Sequence, residues 1–377
     1  MPLSHEPGGA QFDFGEAIVV IGGAECKAHF AVTTLPHSDG LFVKAYPREN
    51  TETFQDAHVS AFEYFAGVPK KITYDNTSIA VAKIVGHERA LTAGFLRLQS
   101  HYLFDRHFCN PGKGNEKGSV EGGVGYSRRN WMVPIPHMGS WGEFNTYLEN
   151  CCRADLSRVL WGKTQTKGVL LEADRAAMLP LPKARFEARR ITKTRATSLS
   201  LVRFDRNDYS VPTAFAHHEV TVTGGIEEVR IACDEEVVAT HARSWDKQGV
   251  FYDPRHYLAL LERKPGALDV ARPLADWGLP ACFDLLRRRL EASLGHRGTR
   301  AYIKVLRLLE HASVHQLAGA IRYATQIGAT APEAIELILR HRTEAPIALF
   351  SLDGHPHLAP FRIDPVDLGA YATLKGA

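Results

Sequence analysis

The stretch that decides the fold begins Gln11-Phe12-Asp13-Phe14-Gly15-Glu16-Ala17 and continues into Ile18-Val19-Val20-Ile21 and Gly22-Gly23. The β-branched run over 18–21 reads as a strand, and the glycine pair turns the chain. Cys26, Ala28, Phe30 and Val32 then alternate with Lys27, His29 and Ala31, the period-2 pattern of a second strand. Leu41-Phe42-Val43-Lys44-Ala45-Tyr46 makes a third, closed by Pro47. Three strands joined by short turns predict an antiparallel meander.

Outward from there the period changes. After Asn50-Thr51, a good helix cap, Phe54, His58, Ala61 or Phe62, and Phe65 recur at helical spacing through Gly67. A short strand, Lys71-Ile72-Thr73-Tyr74, stops at Asp75-Asn76. Residues around 88–102 read as a helix, Tyr102-Leu103-Phe104 as a short strand, and Asn110 to Gly118 as a Gly/Lys-rich loop. Meander, crossover helix, strand, helix, strand is the element order of an RNase-H-like α/β domain. From 131 to 180 the pattern is helical until Pro180-Leu181-Pro182 breaks it. A basic linker follows, and then short strands such as Tyr209-Ser210-Val211-Pro212, Glu219-Val220-Thr221-Val222 and Val229-Arg230-Ile231. These predict a small β-barrel. Helices return from about 254, with Ile303, Leu306 and Leu309 on one face. The expected organisation is a catalytic core with a helical extension over 8–180, a β-barrel with its basic linker over 184–250, a helical C-terminal region over 251–345 and an irregular tail over 346–377.

With 377 residues, 45% hydrophobic and 23% charged, the chain has material for two or three cores. No run of about 18 apolar residues suggests a membrane span, and the N-terminus has no secretory pattern. A cytoplasmic, nucleoid-associated location is the expectation. The six cysteines include no CxxC pair and no regular spacing, so no structural zinc site is expected and they read as scattered core or half-buried thiols. A formal charge of +3 is compatible with a polyanionic partner without requiring one. The histidines, His217-His218 among them, lack ligand spacing.

Three acids stand out. Asp13 lies among Phe12, Phe14 and β-branched residues, where a charge is costly to bury without a partner. Asp75 ends a strand, where a site can open to substrate. Glu121 follows the loop Gly112 to Val120, at the expected start of a helix. Three carboxylates from separate segments suit a hard cation such as Mg²⁺, and two such ions serve phosphoryl transfer. Taken singly, an aspartate at a strand end is a common turn former, and a helical glutamate is commonly a solvated charge.

The residues also resemble a family. Gln11 to Ala17, Ile72-Thr73-Tyr74-Asp75-Asn76 and Gly114-Asn115-Glu116-Lys117-Gly118-Ser119-Val120-Glu121 look like the three acid-bearing blocks of IstA transposases, in the same order. Val124-Gly125-Tyr126-Ser127-Arg128-Arg129-Asn130, Tyr209-Ser210-Val211-Pro212 and His256 to Leu268 resemble further blocks, so the resemblance runs from about residue 10 to about residue 345. It implies a DDE-type integrase core of RNase-H-like fold with Asp13, Asp75 and Glu121 as catalytic and metal-binding positions. Two Mg²⁺ or Mn²⁺ ions are implied, with hydrolysis at transposon ends followed by attack of the freed 3′-hydroxyl on target DNA. The 45 residues between Asp75 and Glu121 exceed the spacing of retroviral integrases. Glu116 competes for the third position, but Gly118-Ser119-Val120-Glu121 has the Gly-x-x-Glu form. Implied partners are transposon-end and target DNA, further copies of the chain and an AAA+ ATPase helper of the IstB type. IstA proteins carry helix-turn-helix segments before the first acid, whereas twelve residues precede Asp13 here. That implies a truncated copy or an internal-start product, with a catalytically silent DNA-binding or assembly remnant as the alternative function and a junction-resolvase-like nuclease as a third.

For DNA contacts, Lys113, Lys117, Arg128 and Arg129 flank Glu121, and Arg185, Arg189, Arg190, Lys193 and Arg195 form the basic linker with one acid, Glu187. Such side chains hold phosphates without reading sequence. Arg287-Arg288-Arg289 shares its stretch with Leu285, Leu286 and Leu290, which favours an ordinary polar helix face.

Overall fold

Strand β1 (Gly9–Ile21) pairs antiparallel with β2 (Ala24–Leu35), with Ile21 opposite Ala24. The two-residue loop between them is Gly22-Gly23 at φ 60° and 84°. Positive φ at both positions is what a tight type I′ hairpin requires, and glycine meets it without steric cost. β3 (Gly40–Tyr46) completes the meander on the far side of β2. Helix α1 (Thr51–Phe65) starts where expected. Asn50 caps it by accepting from Thr53 N, while the Thr53 hydroxyl accepts from Asn50 N.

In this computed structural model, residues 5–75, 79–85, 88–109, 118–275 and 277–343 are described. β4 (Lys71–Tyr74) is followed by a hairpin of β5 (Val81–Val85) and β6 (Glu88–Leu91), then α2 (Ala93–Tyr102) and β7 (Asp105–Phe108). Next come α3 (Gly118–Trp131), β8 (His137–Met138), α4 (Trp141–Asp155) and α5 (Lys167–Ala177). The main sheet runs β3-β2-β1-β4-β7, with β4 and β7 parallel to β1's direction and β8 pairing with the far end of β1. One face packs on α1 and α2 through Phe12, Phe54, Phe62, Tyr74, Phe95 and Phe104. The other packs on α3 and α4 through Phe30, Val32, Val43, Val120, Phe144 and Leu148. Covering both faces explains why β2 is buried from Phe30 to Leu35 without alternation. The mixed α/β fold and its element order agree with the sequence reading.

Two local expectations are corrected. The single helix over 88–102 is a strand and then a helix, because Thr92 accepts from Phe95 N and caps α2 there. The short strand at Tyr102-Leu103-Phe104 lies instead at Asp105–Phe108. Tyr102 belongs to the last helical turn, and Leu103 takes the left-handed cap at φ 61°.

The β-barrel expectation is also corrected. β9 (Arg190–Arg195), β10 (Leu201–Phe204), β11 (Asn207–Ser210), β12 (Glu219–Gly224), β13 (Glu228–Cys233), β14 (Glu236–Ala242) and β15 (Val250–Phe251) form two open sheets. Their orders are β14-β13-β12-β9 and β10-β11-β15. Outer strands end each sheet instead of pairing across, and Val202, Phe204, Tyr209, Val222 and Ile231 fill the layer between them. The supposed linker therefore ends in a strand, 190–195, that belongs to this module.

The chain divides into compact units Met1–Tyr257 and Leu258–Ala377. The second contains α6 (Leu258–Arg263), α7 (Ala281–Leu294), α8 (His296–Arg307), α9 (Val314–Gln326) and α10 (Pro332–Thr343). Ile303, Leu306 and Leu309 lie in its core with Phe283, Leu290 and Ile321. Arg287 pairs with Asp269 and Glu291 on the helix surface. The tail from 344 lies outside the described residues. All six cysteines are free thiols, and no described helix is long and apolar enough to cross a membrane.

Candidate metal and DNA site

The site begins where the main sheet forks. β4 pairs with β1 only from Gly9↔Lys71 to Phe12↔Tyr74. Past that row β4 ends, while β1 runs on to Ile21. Asp13 and Asp75 are the next residues on the two strands. Adjacent strands stand about 4.8 Å apart, so two acids 62 positions apart in the chain leave the sheet as neighbours. Asp75 is exposed and Asp13 half-buried. The Asp13 carboxylate also accepts from Phe14 N at 2.9 Å.

The residues just before both acids meet the same buried imidazole. His58 of α1 stacks on Phe12 at 4.1 Å between ring centroids, and its Nε2 lies 2.9 Å from Tyr74 Oη. Its Nδ1 lies 2.7 Å from Phe54 O. A carbonyl only accepts, so Nδ1 carries the proton and Nε2 accepts from the Tyr74 hydroxyl. Burial drives the His58 pKa down to about 3, which keeps the ring neutral at ordinary pH. Sequence reading gave His58 no role, because a histidine on an apolar helix face is indistinguishable from core filling.

Helix α3 lies across the Asp13-bearing face of β1. Gln11 Oε1 accepts from Val120 N at 3.0 Å, and a Cβ on Gly15 would stand 2.7 Å from Val124 Cγ1. Gln11, Asp13 and Gly15 share one strand face by alternation. Asp13 thus lies between two anchor points of the helix whose first turn carries Glu121. Glu121 is exposed. Among the described residues, no three His, Cys, Asp or Glu side chains stand together as a metal-holding group. Glu116, Lys113 and Lys117 lie outside the described residues.

A fourth acid, missed in the sequence, reports on the local charge. Partial desolvation of the otherwise exposed Glu49 side chain, together with the negative charges of Asp13 and Glu16, holds its carboxyl above the usual carboxylate range. Glu16 is itself lowered by its hydrogen bond to Lys27. The negative charges of Asp13 and Glu16 thus act on Glu49 from the same end of the sheet.

The basic residues are largely committed to intramolecular acids. Arg185 pairs with Glu63 at 2.7 Å, Arg189 with Glu187, Arg190 with Glu52 and Asp205, and Arg195 with Glu219 at 3.1 Å. These pairings offset the charge that the sequence reading offered to phosphates. Lys193 lies on β9 with its side chain exposed. Arg128 and Arg129 are exposed in the last turn of α3.

Residues 181–253, the two-sheet module, match the family model described as Mu transposase, C-terminal domain. Along most of its length the chain is 34% identical to a transposase of Aminobacter aminovorans, covering 87% of this chain and 65% of that protein. It is 33% identical to the transposase for insertion sequences IS1326/IS1353 of Pseudomonas aeruginosa, covering 92% and 69%. With the transposase for insertion sequence element IS21 of the same organism it shares 31% identity, over 67% and 65%. The chain spans about two thirds of the length of these relatives. Among solved structures it resembles the HTLV-2 integrase catalytic core domain in its magnesium complex, at 14% identity and TM-score 0.31, over 44% of this chain and 97% of that one. The class these relatives define is the transposases of bacterial insertion sequences. The chain belongs to that family, in its IS21 type.

Proposed function

We propose that the chain carries out metal-dependent phosphoryl transfer on DNA, hydrolysing transposon ends and joining them to target DNA, with Asp13, Asp75 and Glu121 as its metal-binding acids. The supporting observation is the fork in the main sheet, which sets Asp13 and Asp75 side by side beside a helix carrying Glu121. Two Mg²⁺ or Mn²⁺ ions, when bound, would activate the attacking oxygen and stabilise the leaving one. The protein's part is positional. Phe12 and Tyr74, tied through His58, fix the two aspartates, and the close fit of Gly15 against α3 fixes the height of Glu121 above the sheet. On the same reading the substrates are transposon-end and target DNA, the working form is a multimer on DNA, and an AAA+ ATPase of the IstB type assists.

The test is nicking and strand transfer on end-bearing duplex DNA with Mg²⁺ or Mn²⁺. Asp13→Asn is expected to reduce both to the metal-free background while the variant still folds. Activity that survives this substitution overturns the assignment. Binding without cleavage by the unaltered chain supports the silent-remnant reading instead, and cleavage confined to branched DNA with no joining supports a resolvase.

A further inference from the structure

Between α4 and α5 the chain makes a short projection over Arg158–Lys167. Val159 and Thr166 form an antiparallel bridge across it, Lys167 N donates to Arg158 O at 2.9 Å, and Lys163 N closes the turn on Leu160 O at 3.0 Å. Gly162, at φ +83°, lets the tip reverse. Trp161 stands at that tip with 102% relative exposure. Elsewhere in this unit large aromatics are buried in clusters; Trp131, for example, is 7% exposed. Leaving an indole in water forfeits the burial that normally favours it, so its display calls for a partner.

The base that carries it is rigid. Asp155 binds Arg158 Nη1 at 2.7 Å and Lys167 Nζ at 2.6 Å, and it accepts from Tyr126 Oη at 3.1 Å. The Arg158 guanidinium lies 4.7 Å over the Tyr126 ring. Lys163 Nζ binds His37 O at 2.8 Å and also the Asp39 carboxylate. The projection is one wall of a groove of about 810 Å³, whose lining includes Arg158, Lys163 and Lys167 on that wall and Gly122, Gly123 and Tyr126 of α3 on the other. Gly122 and Gly123 directly follow Glu121. A Cβ on Gly122 would meet nothing within 4 Å, so backbone is open to a ligand on that side of the helix. Three cations against Asp39 and Asp155 leave the projection net positive.

Resting on the function proposed above, we infer that Trp161 is a stacking platform for an unpaired DNA base, and that the groove beside α3 receives the sugar-phosphate leading from that base toward Glu121. An indole face stacks on any base without reading its identity, and the small net positive charge left beside it by Arg158, Lys163 and Lys167 after their pairing with Asp39 and Asp155 favours a phosphate over a neutral ligand. A transposon end opened near the cleaved bond presents such a base; an intact duplex does not.

The test compares the full chain with Trp161→Ala and Trp161→Phe. The probes are a labelled duplex with a three-nucleotide 3′ overhang and its blunt counterpart, without divalent metal. The parent should prefer the overhang and show tryptophan fluorescence quenching on binding it. Trp161→Ala should lose roughly tenfold in overhang affinity, together with that quenching, and keep its blunt-duplex affinity. Trp161→Phe should restore part of the preference. Equal loss on both probes, or an unchanged overhang preference in Trp161→Ala, overturns the inference. So does a change of oligomeric state in the absence of DNA, which would show the indole packing on protein. If the parent cleaves end DNA but lacks any Trp161-dependent preference, only this inference falls. If the parent binds neither probe, the DNA function falls with it.

Discussion

At the scale of single residues, what singles out Asp13 and Asp75 as candidates is local, and what positions them is not. Asp13 and Asp75 were visible because each is an acid in an apolar strand context. His58 was invisible because its role depends on Tyr74, 16 residues away, and on the stacked Phe12 ring. Its titration gives a prediction. The ring's pKa is 6.5 ordinarily and about 3 in the folded chain. As pH falls through that window the unfolded chain binds a proton that the folded chain excludes, so the folded state loses stability. At pH 4.5 this term reaches roughly 2–3 kcal/mol relative to neutral pH. His58→Gln can donate to Phe54 O and accept from Tyr74 Oη but does not titrate. Urea unfolding across pH 7 to 4.5 should therefore show a shallower acid-side decline in the variant; parallel declines would refute the neutral, buried state of His58. Glu121 was preferred over Glu116 on a Gly-x-x-Glu pattern, and the structure places it in the first turn of α3, the end where a carboxylate is favoured by the helix dipole.

At the scale of elements, the meander, the Asn50 cap and α1 followed from periodicity and capping chemistry, which are local. The split of 88–102 into β6 and α2 did not, because the pairing of Glu88–Leu91 with Val81–Val85 is a contact outside its own pattern. The packing of α3 on β1 was likewise hidden. It depends on glycine on both sides: a Cβ at Gly15 of β1 would lie 2.7 Å from Val124 Cγ1 of α3, and one at Gly123 of α3 would lie 2.9 Å from Thr34 Cγ2 of the neighbouring β2. Gly15→Ala forces one methyl group into this contact and should cost about 1–3 kcal/mol. It should also lift the helix bearing Glu121, so DNA cleavage should fall further than the stability loss explains. Full cleavage at a temperature where the variant is folded would show that α3 has slack at this point.

At the scale of the whole first unit, the two-sheet module is joined to the core by a buried ion network whose members lie far apart in the chain. Arg243, with a fully buried side chain, donates to Glu52 at 2.9 Å and to Asp205 at 2.8 Å, and Arg190 and Arg48 approach the same acids. Glu52 lies in the first turn of α1, on the element that also holds His58. Arg243→Met leaves the buried Glu52 carboxylate to the longer Arg190 contact at 3.7 Å and should cost about 3–5 kcal/mol. Adding Glu52→Gln should recover part of that loss in urea unfolding, whereas simple additivity of the two substitutions would deny their coupling. The same network reaches into the basic stretch 184–195. Arg190 is drawn to Glu52 and Asp205, acids contributed by other segments. The sequence by itself determined the strands, the helices and which acids to suspect, because alternation, helical period and caps act over a few residues. Only the tertiary structure decided that Asp13 and Asp75 are neighbours, that the β module stays open, and that most of its arginines are paired while Trp161 stands in solvent. Strand register, burial and ion pairing are set by residues far apart in the chain, and their energies exist only once the chain has closed on itself.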